Sequence, residues 1–191
     1  MRDTHPYDAR HEPRLYLAAF AWGVAEATLL FVVPDVLLTW IALRDRRRAL
    51  DASLAATAGA ICGGLLMAVL GHAHPHAMHA WLERVPAVNA SLIDQARQAM
   101  HRHGGLALVE GAFTGVPYKL FAAQAHAAGL SLPALLIWTV PARLVRFVLL
   151  ALVANAVARW LRARTHPVVV VAVWALAWSA NYALYWSFLH L

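Results

Sequence analysis

The stretch EATLLFVVPDVLLTWIAL, residues 26–43, decides the fold because it combines strong hydrophobicity with an interruption. It belongs to an apolar segment, 15–43, that carries Glu26 near its middle and Pro34-Asp35 beyond it. A transmembrane helix needs about 20 apolar residues, so this segment is too long for one span and too short for two. Proline breaks a helix, and a break at membrane depth needs protein or a water-filled cavity around it. The pattern favours a re-entrant helical hairpin, with one kinked span as the alternative.

A second apolar segment, 104–129, has the same construction. It carries Glu110 and then the sequence GVPYK at 115–119, where Gly115 and Pro117 interrupt the helix. If both segments are hairpins, they enter from opposite sides of the membrane. They then form an inverted pair, the arrangement that secondary transporters place around a binding site at the midplane.

The composition also indicates a membrane protein. The 191 residues are 61% hydrophobic and 14% charged, with a mean hydropathy of +0.56, against roughly 45–50% and 25% in globular proteins. A single cysteine, Cys62, excludes an intrachain disulfide. The net charge of +6 does not indicate nucleic acid, because most of the arginines lie in short gaps between apolar segments.

We therefore predict an all-α integral membrane protein, with two inverted re-entrant helical hairpins and about three transmembrane helices, in a bacterial cytoplasmic (inner) membrane. Residues 1–14 are a polar N-terminal tail without a secretory cleavage site, and 15–191 are a single membrane domain. Its predicted parts are a hairpin at 15–43, a span at 52–71, an outer loop at 72–103, a hairpin at 104–129 and spans at 132–158 and 167–189.

Smaller patterns refine this prediction. Loops 1–14, 44–51 and 159–166 hold ten arginines against three in the outer loop, which places the first three on the cytoplasmic side. The outer loop has an amphipathic pattern around 88–102. Ala55, Gly59 and Gly63 recur at a four-residue spacing, which allows a neighbouring helix to approach closely. Aromatic residues toward the C-terminus, among them Trp174, Trp178 and Tyr182, are interfacial anchors or a packing surface.

Ionisable side chains inside the apolar segments are the candidate functional residues. A charge at the centre of a membrane helix costs about 2.5–3.5 kcal/mol, so it is retained when it is paired or needed. One interpretation is a buried structural network of neutralised charges. The other is that the carboxylates exchange protons while the basic groups bind an anion such as a phosphate. The six residues are Glu26, Asp35, Glu110, Lys119, Arg143 and Arg146.

Two further classes of function remain open. A histidine cluster at the start of the outer loop suggests a metal-responsive or metal-transporting protein, although its spacing matches no closed zinc site. A non-catalytic assembly factor, whose charges only fix its fold, is the other class. The chain lacks the motifs of hydrolases, metalloproteases and nucleotide-binding proteins, so we predict neither an enzyme nor a cofactor. The clustered histidines are His72, His74, His76 and His79.

Three stretches carry a resemblance to a known family. The sequences EATLLFVVPDVLLTWIAL (26–43), FTGVPYKLFAAQAHAAG (113–129) and ARLVRF (142–147) resemble DedA-type membrane proteins (VTT-domain, SNARE-associated), in particular the YqaA-like branch, over roughly residues 15–160. The resemblance implies inverted re-entrant hairpins with surrounding helices. It also implies movement of lipids across bilayers, including undecaprenyl phosphate in bacteria and phospholipids in eukaryotes.

The resemblance also implies roles for individual residues. Glu26 and Asp35 take the family's acidic positions, and Lys119 stands where many members have an arginine. Arg143 and Arg146 match the branch's Arg-x-x-Arg-Phe element. The chain departs from the pattern in three places: position 112 is alanine where many members have the arginine of a Gly-Arg-Phe triplet, position 115 is glycine where the branch often has proline, and Glu110 is an addition.

The expected function is transport, flipping or scrambling of an anionic, phosphate-bearing lipid or amphiphile. Membrane lipids are the expected partners, protons are the candidate coupling ion, and no nucleic acid is expected. The predicted anion site comprises Lys119, Arg143 and Arg146, and the predicted proton-exchanging acids are Glu26, Asp35 and Glu110.

Overall fold

The computed structural model describes residues 12–29, 33–85 and 88–189, which fold into helices without any strand. The predicted polar tail lies outside the described residues except for its last three positions. The helices of the described residues are α1 (Glu12–Thr28), α2 (Asp35–Arg44), α3 (Arg46–Ala73), α4 (Pro75–Leu82), α5 (Ala90–His103), α6 (Leu106–Thr114), α7 (Tyr118–Gln124), α8 (Leu132–Arg162) and α9 (Pro167–Leu189).

Three helices of the described residues are long and apolar enough to cross a membrane: α3, α8 and the Pro167–Leu184 part of α9. They coincide with the three predicted spans. Helix α3 begins at Arg46, ahead of the predicted residue 52, because Asp45 caps it: its carboxylate accepts the backbone N–H groups of Arg47 and Arg48 at 2.8 and 3.1 Å. The chain therefore has the architecture of a membrane protein.

Each of the two interrupted segments consists of two helices separated by a break. Helix α1 ends at Thr28 and Pro34 directly precedes α2, while residues 30–32 lie outside the described residues. The second break begins at Gly115, whose φ of +86° closes α6 in a left-handed conformation that glycine adopts without strain. Pro117 then stands immediately before α7. Pro34, Gly115 and Pro117 thus each stand next to a helix end in the described residues.

The central helices α3 and α8 run in opposite directions. Ala52 shares a hydrophobic core cluster with Ala151. Further along α3, Gly64 contacts the Tyr118 side chain, which also reaches Thr139. Residue numbers thus rise along one helix as they fall along the other, and the two helices form a frame against which the broken segments pack.

Helix α1 runs in the same direction as α3. Gly59 lies against the Phe20 carbonyl, and Gly63 lies against Ala27. A Cβ atom at Gly59 would overlap the Phe20 carbonyl oxygen, so the two backbones touch directly. The predicted small-residue stripe is therefore the contact surface between α1 and α3.

Helix α2 runs in the same direction as α8, and so opposite to α1. Arg146 is bonded to Asp35 at the start of α2, and the Asn155 amide donates to the Ala42 carbonyl near its end at 2.7 Å. The chain therefore reverses direction at the first break and returns to the beginning of α3.

The second broken segment reverses in the opposite sense. Helix α6 runs in the same direction as α8, because Gly105 lies against Trp138 and, further along both helices, the Ala112 carbonyl lies against Arg146. Helix α7 instead runs in the same direction as α3, and so opposite to α6. Its Tyr118 contacts Gly64, and the backbone of Ala123 lies against Gly71.

The amphipathic helix expected around 88–102 is α5. Its Ile93, Ala96 and Met100 side chains are buried, as the sequence pattern predicts, in the same core cluster as α7. The Gln124 side-chain amide at the end of α7 donates to the Ile93 carbonyl at 3.0 Å. This helix therefore supports the second broken segment from the outer-loop side.

Candidate functional site

The first ion pair of the site joins α1 to α8 in the interior. One terminal nitrogen of the Arg143 guanidinium donates to both carboxylate oxygens of Glu26, at 2.8 and 2.9 Å. The two side chains are only 4% and 6% exposed. The guanidinium also lies 4.4 Å from the centre of the Tyr118 ring, a cation–π contact. Arg143 thus connects α8 to both broken segments.

The second ion pair lies one helical turn further along α8. Two nitrogens of Arg146 contact one carboxylate oxygen of Asp35, Oδ2: Nε donates to it at 3.0 Å, and Nη2 lies 2.7 Å from it. Its Nη1 donates to the Ala112 carbonyl at 2.8 Å. Asp35 opens α2 and is fully buried, whereas Ala112 lies near the end of α6. Arg146 of α8 therefore contacts both broken segments, at the start of α2 and near the end of α6.

Lys119, the only lysine of the chain, lies at the start of α7 and is 2% exposed. It is close enough to Glu26 and Arg143 for Coulombic interaction with both. Five of the six predicted residues are therefore brought together at the level of the two breaks.

A cavity of about 160 Å³ occupies the space between the two breaks, α8 and α9. The Tyr182 hydroxyl closes one side of it by accepting the Val33 N–H at 3.3 Å. The lining residues are Glu26, Val33, Gly115, Val116, Pro117, Tyr118, Lys119, Arg143, Arg146, Asn181 and Tyr182.

Glu110, the sixth predicted residue, is not part of this group. Its carboxylate lies 2.6 Å from Nδ1 of His103 at the end of α5, and its side chain is 42% exposed. Gly111 faces Phe121 of α7, and successive residues of a helix are rotated by about 100°. Glu110 therefore projects away from the cavity.

The departure of Glu110 changes the charge balance of the site. The predicted site contained three acidic and three basic residues. The structure groups two acidic residues, Glu26 and Asp35, with three basic ones, which are Lys119, Arg143 and Arg146. Among these five described residues, basic side chains therefore outnumber acidic ones.

Comparisons of this chain with protein-family models, curated proteins and solved structures return no match. The resemblance to DedA-type proteins therefore stays a prediction, and the site is interpreted from its own geometry.

A buried hydroxyl pair supports Arg143 and was not anticipated from the sequence. The Thr139 hydroxyl donates to the Leu135 carbonyl at 2.7 Å, so the Tyr118 hydroxyl is the donor in its own 2.7 Å bond to Thr139. This bond holds the ring on which the Arg143 guanidinium lies. Neutral hydroxyls cost less than charges in an apolar segment, so they give no comparable sequence signal.

We expect Thr139→Val to destabilise the protein by about 1–3 kcal/mol, because the buried Tyr118 hydroxyl loses its acceptor. Removing that hydroxyl as well, in Tyr118→Phe/Thr139→Val, should recover most of the loss. Thermal unfolding in detergent measures both effects. Equal stability of the single and double variants would show that the hydroxyl pair does not hold the ring.

The C-terminal aromatic residues fasten α9 to the first broken segment. The indole N–H groups of Trp174 and Trp178 each donate to the Thr39 hydroxyl oxygen at 3.0 Å. Tyr182 adds the contact to the Val33 N–H described above. These contacts match the packing alternative among the two sequence interpretations.

The histidine cluster does not assemble into a metal site in the part of the chain that is described. His72 packs against the ring of His126 with centroids 3.9 Å apart, and His79 lies 3.5 Å from the Glu83 carboxylate. His74 and His76 are exposed. Among the described residues, no three His, Cys, Asp or Glu side chains are grouped to hold a metal ion, so the metal alternative gains no geometric support.

Proposed function

We propose that this chain moves an anionic, phosphate-bearing lipid or amphiphile across the bacterial cytoplasmic membrane. The observation that carries the proposal is a cavity between two helix breaks that is lined by Glu26, Lys119, Arg143 and Arg146, with Asp35 bonded to Arg146. We further propose that the broken segments are inverted re-entrant hairpins.

The helix directions support the hairpins. Helix α1 runs with α3 and α2 runs against it, which returns the chain to the side of the membrane where it began. Helix α6 runs with α8 and α7 runs against it, so the second segment enters from the opposite side. Opposed hairpins with their breaks at one level are the geometry of a midplane transport site.

The chemistry of the cavity supports an anionic ligand. Lys119, Arg143 and Arg146 line the cavity, and ammonium and guanidinium groups are the side chains that best recognise a phosphate. Two buried polar atoms, Oδ1 of Asp35 and Nε of Arg143, have no hydrogen-bond partner among the described residues. Such atoms are costly unless they are paired, and the Arg143 nitrogen offers a donor to an incoming phosphate oxygen.

The ion pairs suggest how protons couple to transport. Both arginines are bound to carboxylates in the described conformation. We propose that proton uptake by the acidic side of these pairs releases an arginine to bind a phosphate, and that proton release restores the pair and displaces the anion. Proton uptake and anion binding then favour each other, as linkage requires.

We expect Lys119→Met to slow transport of an anionic lipid about tenfold, the effect of losing roughly 1.4 kcal/mol of anion stabilisation, because it removes one of the three basic groups that line the cavity. Lys119→Arg keeps the charge and is the matched control, expected to retain most of the activity. The initial rate of leaflet exchange in reconstituted vesicles measures both. Equal rates for the wild type and Lys119→Met would contradict a role for this basic group.

Leaflet exchange in vesicles also tests the function itself. Purified protein is reconstituted with a fluorescent lipid that carries either an anionic phosphate head group or a zwitterionic one, with and without a pH gradient. We expect the protein to accelerate exchange of the anionic lipid selectively and the pH gradient to change the rate. Exchange no faster than in protein-free vesicles would refute the proposal, and a covalently altered lipid would indicate an enzyme.

A further inference from the structure

A second cavity, larger than the first, lies between α2, α8 and α9. It measures about 320 Å³ and is lined mainly by aliphatic side chains such as Leu150, Val157 and Val173. Its volume falls within the range of roughly 300–1,000 Å³ that is usual for small-molecule sites. We refer to it as the apolar cleft.

The apolar cleft adjoins the charged cavity. Asn181 of α9 lines both of them. Thr39 lines the cleft and lies one helical turn after Asp35, the partner of Arg146. A polar, positively charged compartment and an aliphatic compartment therefore lie side by side, in the order of the head group and hydrocarbon chain of an amphiphile.

We infer that the transported molecule occupies both compartments, its phosphate in the charged cavity and its hydrocarbon chain in the apolar cleft. This inference rests on the proposed function and narrows its substrate class. The substrate is an amphiphile with a long hydrocarbon chain, because a small water-soluble anion would need the charged cavity alone.

Helix α9 forms the outer wall of the cleft and packs loosely against the rest of the chain. Of its residues whose burial is described, only Val170 is buried. The contacts of Trp174 and Trp178 with Thr39 fasten it to the first broken segment. A chain can therefore enter from the bilayer between α8 and α9.

Cleft-filling variants test the inference. Ala154 on α8 and Ala177 on α9 line the cleft, and Ala154→Phe and Ala177→Phe should block the hydrocarbon chain by overlap. Ala156→Phe and Ala175→Phe are matched controls, because these alanines are exposed residues of the same helices and do not line the cleft. The probes are dodecyl phosphate and butyl phosphate, titrated against the full-length protein in a phosphate-free detergent.

We expect the cleft variants to weaken dodecyl phosphate binding at least about fivefold, the lower end of what overpacking costs, and to leave butyl phosphate binding unchanged. The control variants should bind both probes like the wild type. Equal weakening of dodecyl phosphate in cleft and control variants, or none in either, would overturn the inference while leaving the proposed function intact. Failure of the wild type to bind either phosphate would overturn the proposed function as well.

Discussion

The double variant Glu26→Leu/Arg143→Met is expected to remain folded and to lose lipid transport. Exchanging a buried ion pair for apolar side chains of similar size is often neutral or stabilising. The pair is 4% and 6% exposed, so its removal leaves no unpaired charge of the pair in the interior. Transport should fall to the rate of protein-free vesicles, because the proposed proton-exchanging acid and a proposed anion-binding base are both gone.

Single variants of the same pair should behave differently. Arg143→Met leaves the Glu26 carboxylate without its bonded partner, and breaking a buried pair in this way costs about 3–5 kcal/mol. The double variant should therefore unfold at a higher temperature than Arg143→Met. The exposed pair Asp94–Arg97 on α5, bonded at 2.8 Å, is the control: Asp94→Asn/Arg97→Gln should change neither transport nor stability. Normal transport by the Glu26→Leu/Arg143→Met protein would show that the buried pair is only structural.

Gly59→Ala is expected to cause a large loss of stability. The added methyl would overlap the Phe20 carbonyl oxygen, and a backbone atom cannot move aside without separating α1 from α3. Overpacking of this kind costs typically 1–3 kcal/mol and occasionally more. Because α1 also carries Glu26, transport should fall together with the unfolding temperature.

The neighbouring residue provides the control for this prediction. Ala58 is exposed on the same turn of α3, so Ala58→Leu adds more volume without meeting α1. Thermal unfolding of both variants in detergent gives the comparison. An unchanged unfolding temperature for Gly59→Ala would mean that the backbones of α1 and α3 are not in contact.

The spans and breaks could be predicted because each depends on local sequence. The length of an apolar run fixes whether a helix can cross the membrane, and Pro34, Gly115 and Pro117 mark the interruptions directly. The early start of α3 was missed because Asp45 caps a turn that is rich in arginine and therefore not apolar. Hydropathy favours a hairpin at 15–43 but leaves a kinked span open, and only the contacts of α2 with α8 give the direction of α2.

The site could be predicted in its charges but not in its pairing. The cost of a charge in hydrocarbon singled out six residues, and the pairs Glu26–Arg143 and Asp35–Arg146 join residues more than a hundred positions apart. Glu110 is also an ionisable residue in an apolar segment, yet it contacts His103 and not the other five residues. The orientation of α6 relative to its neighbours decides where the Glu110 side chain points.

Solid-state NMR on the single lysine tests the central claim most directly. The chain contains only one lysine, so protein labelled with ¹⁵N-lysine reports on Lys119 Nζ alone. Lys119 is buried beside the charged cavity, and in a phosphate-free host bilayer no surface phosphate can reach it. We predict that dodecyl phosphate introduces ³¹P dephasing of this nitrogen signal and that Glu26→Leu/Arg143→Met abolishes the dephasing. A lysine signal that saturating dodecyl phosphate leaves unchanged would contradict an anion site between the two breaks.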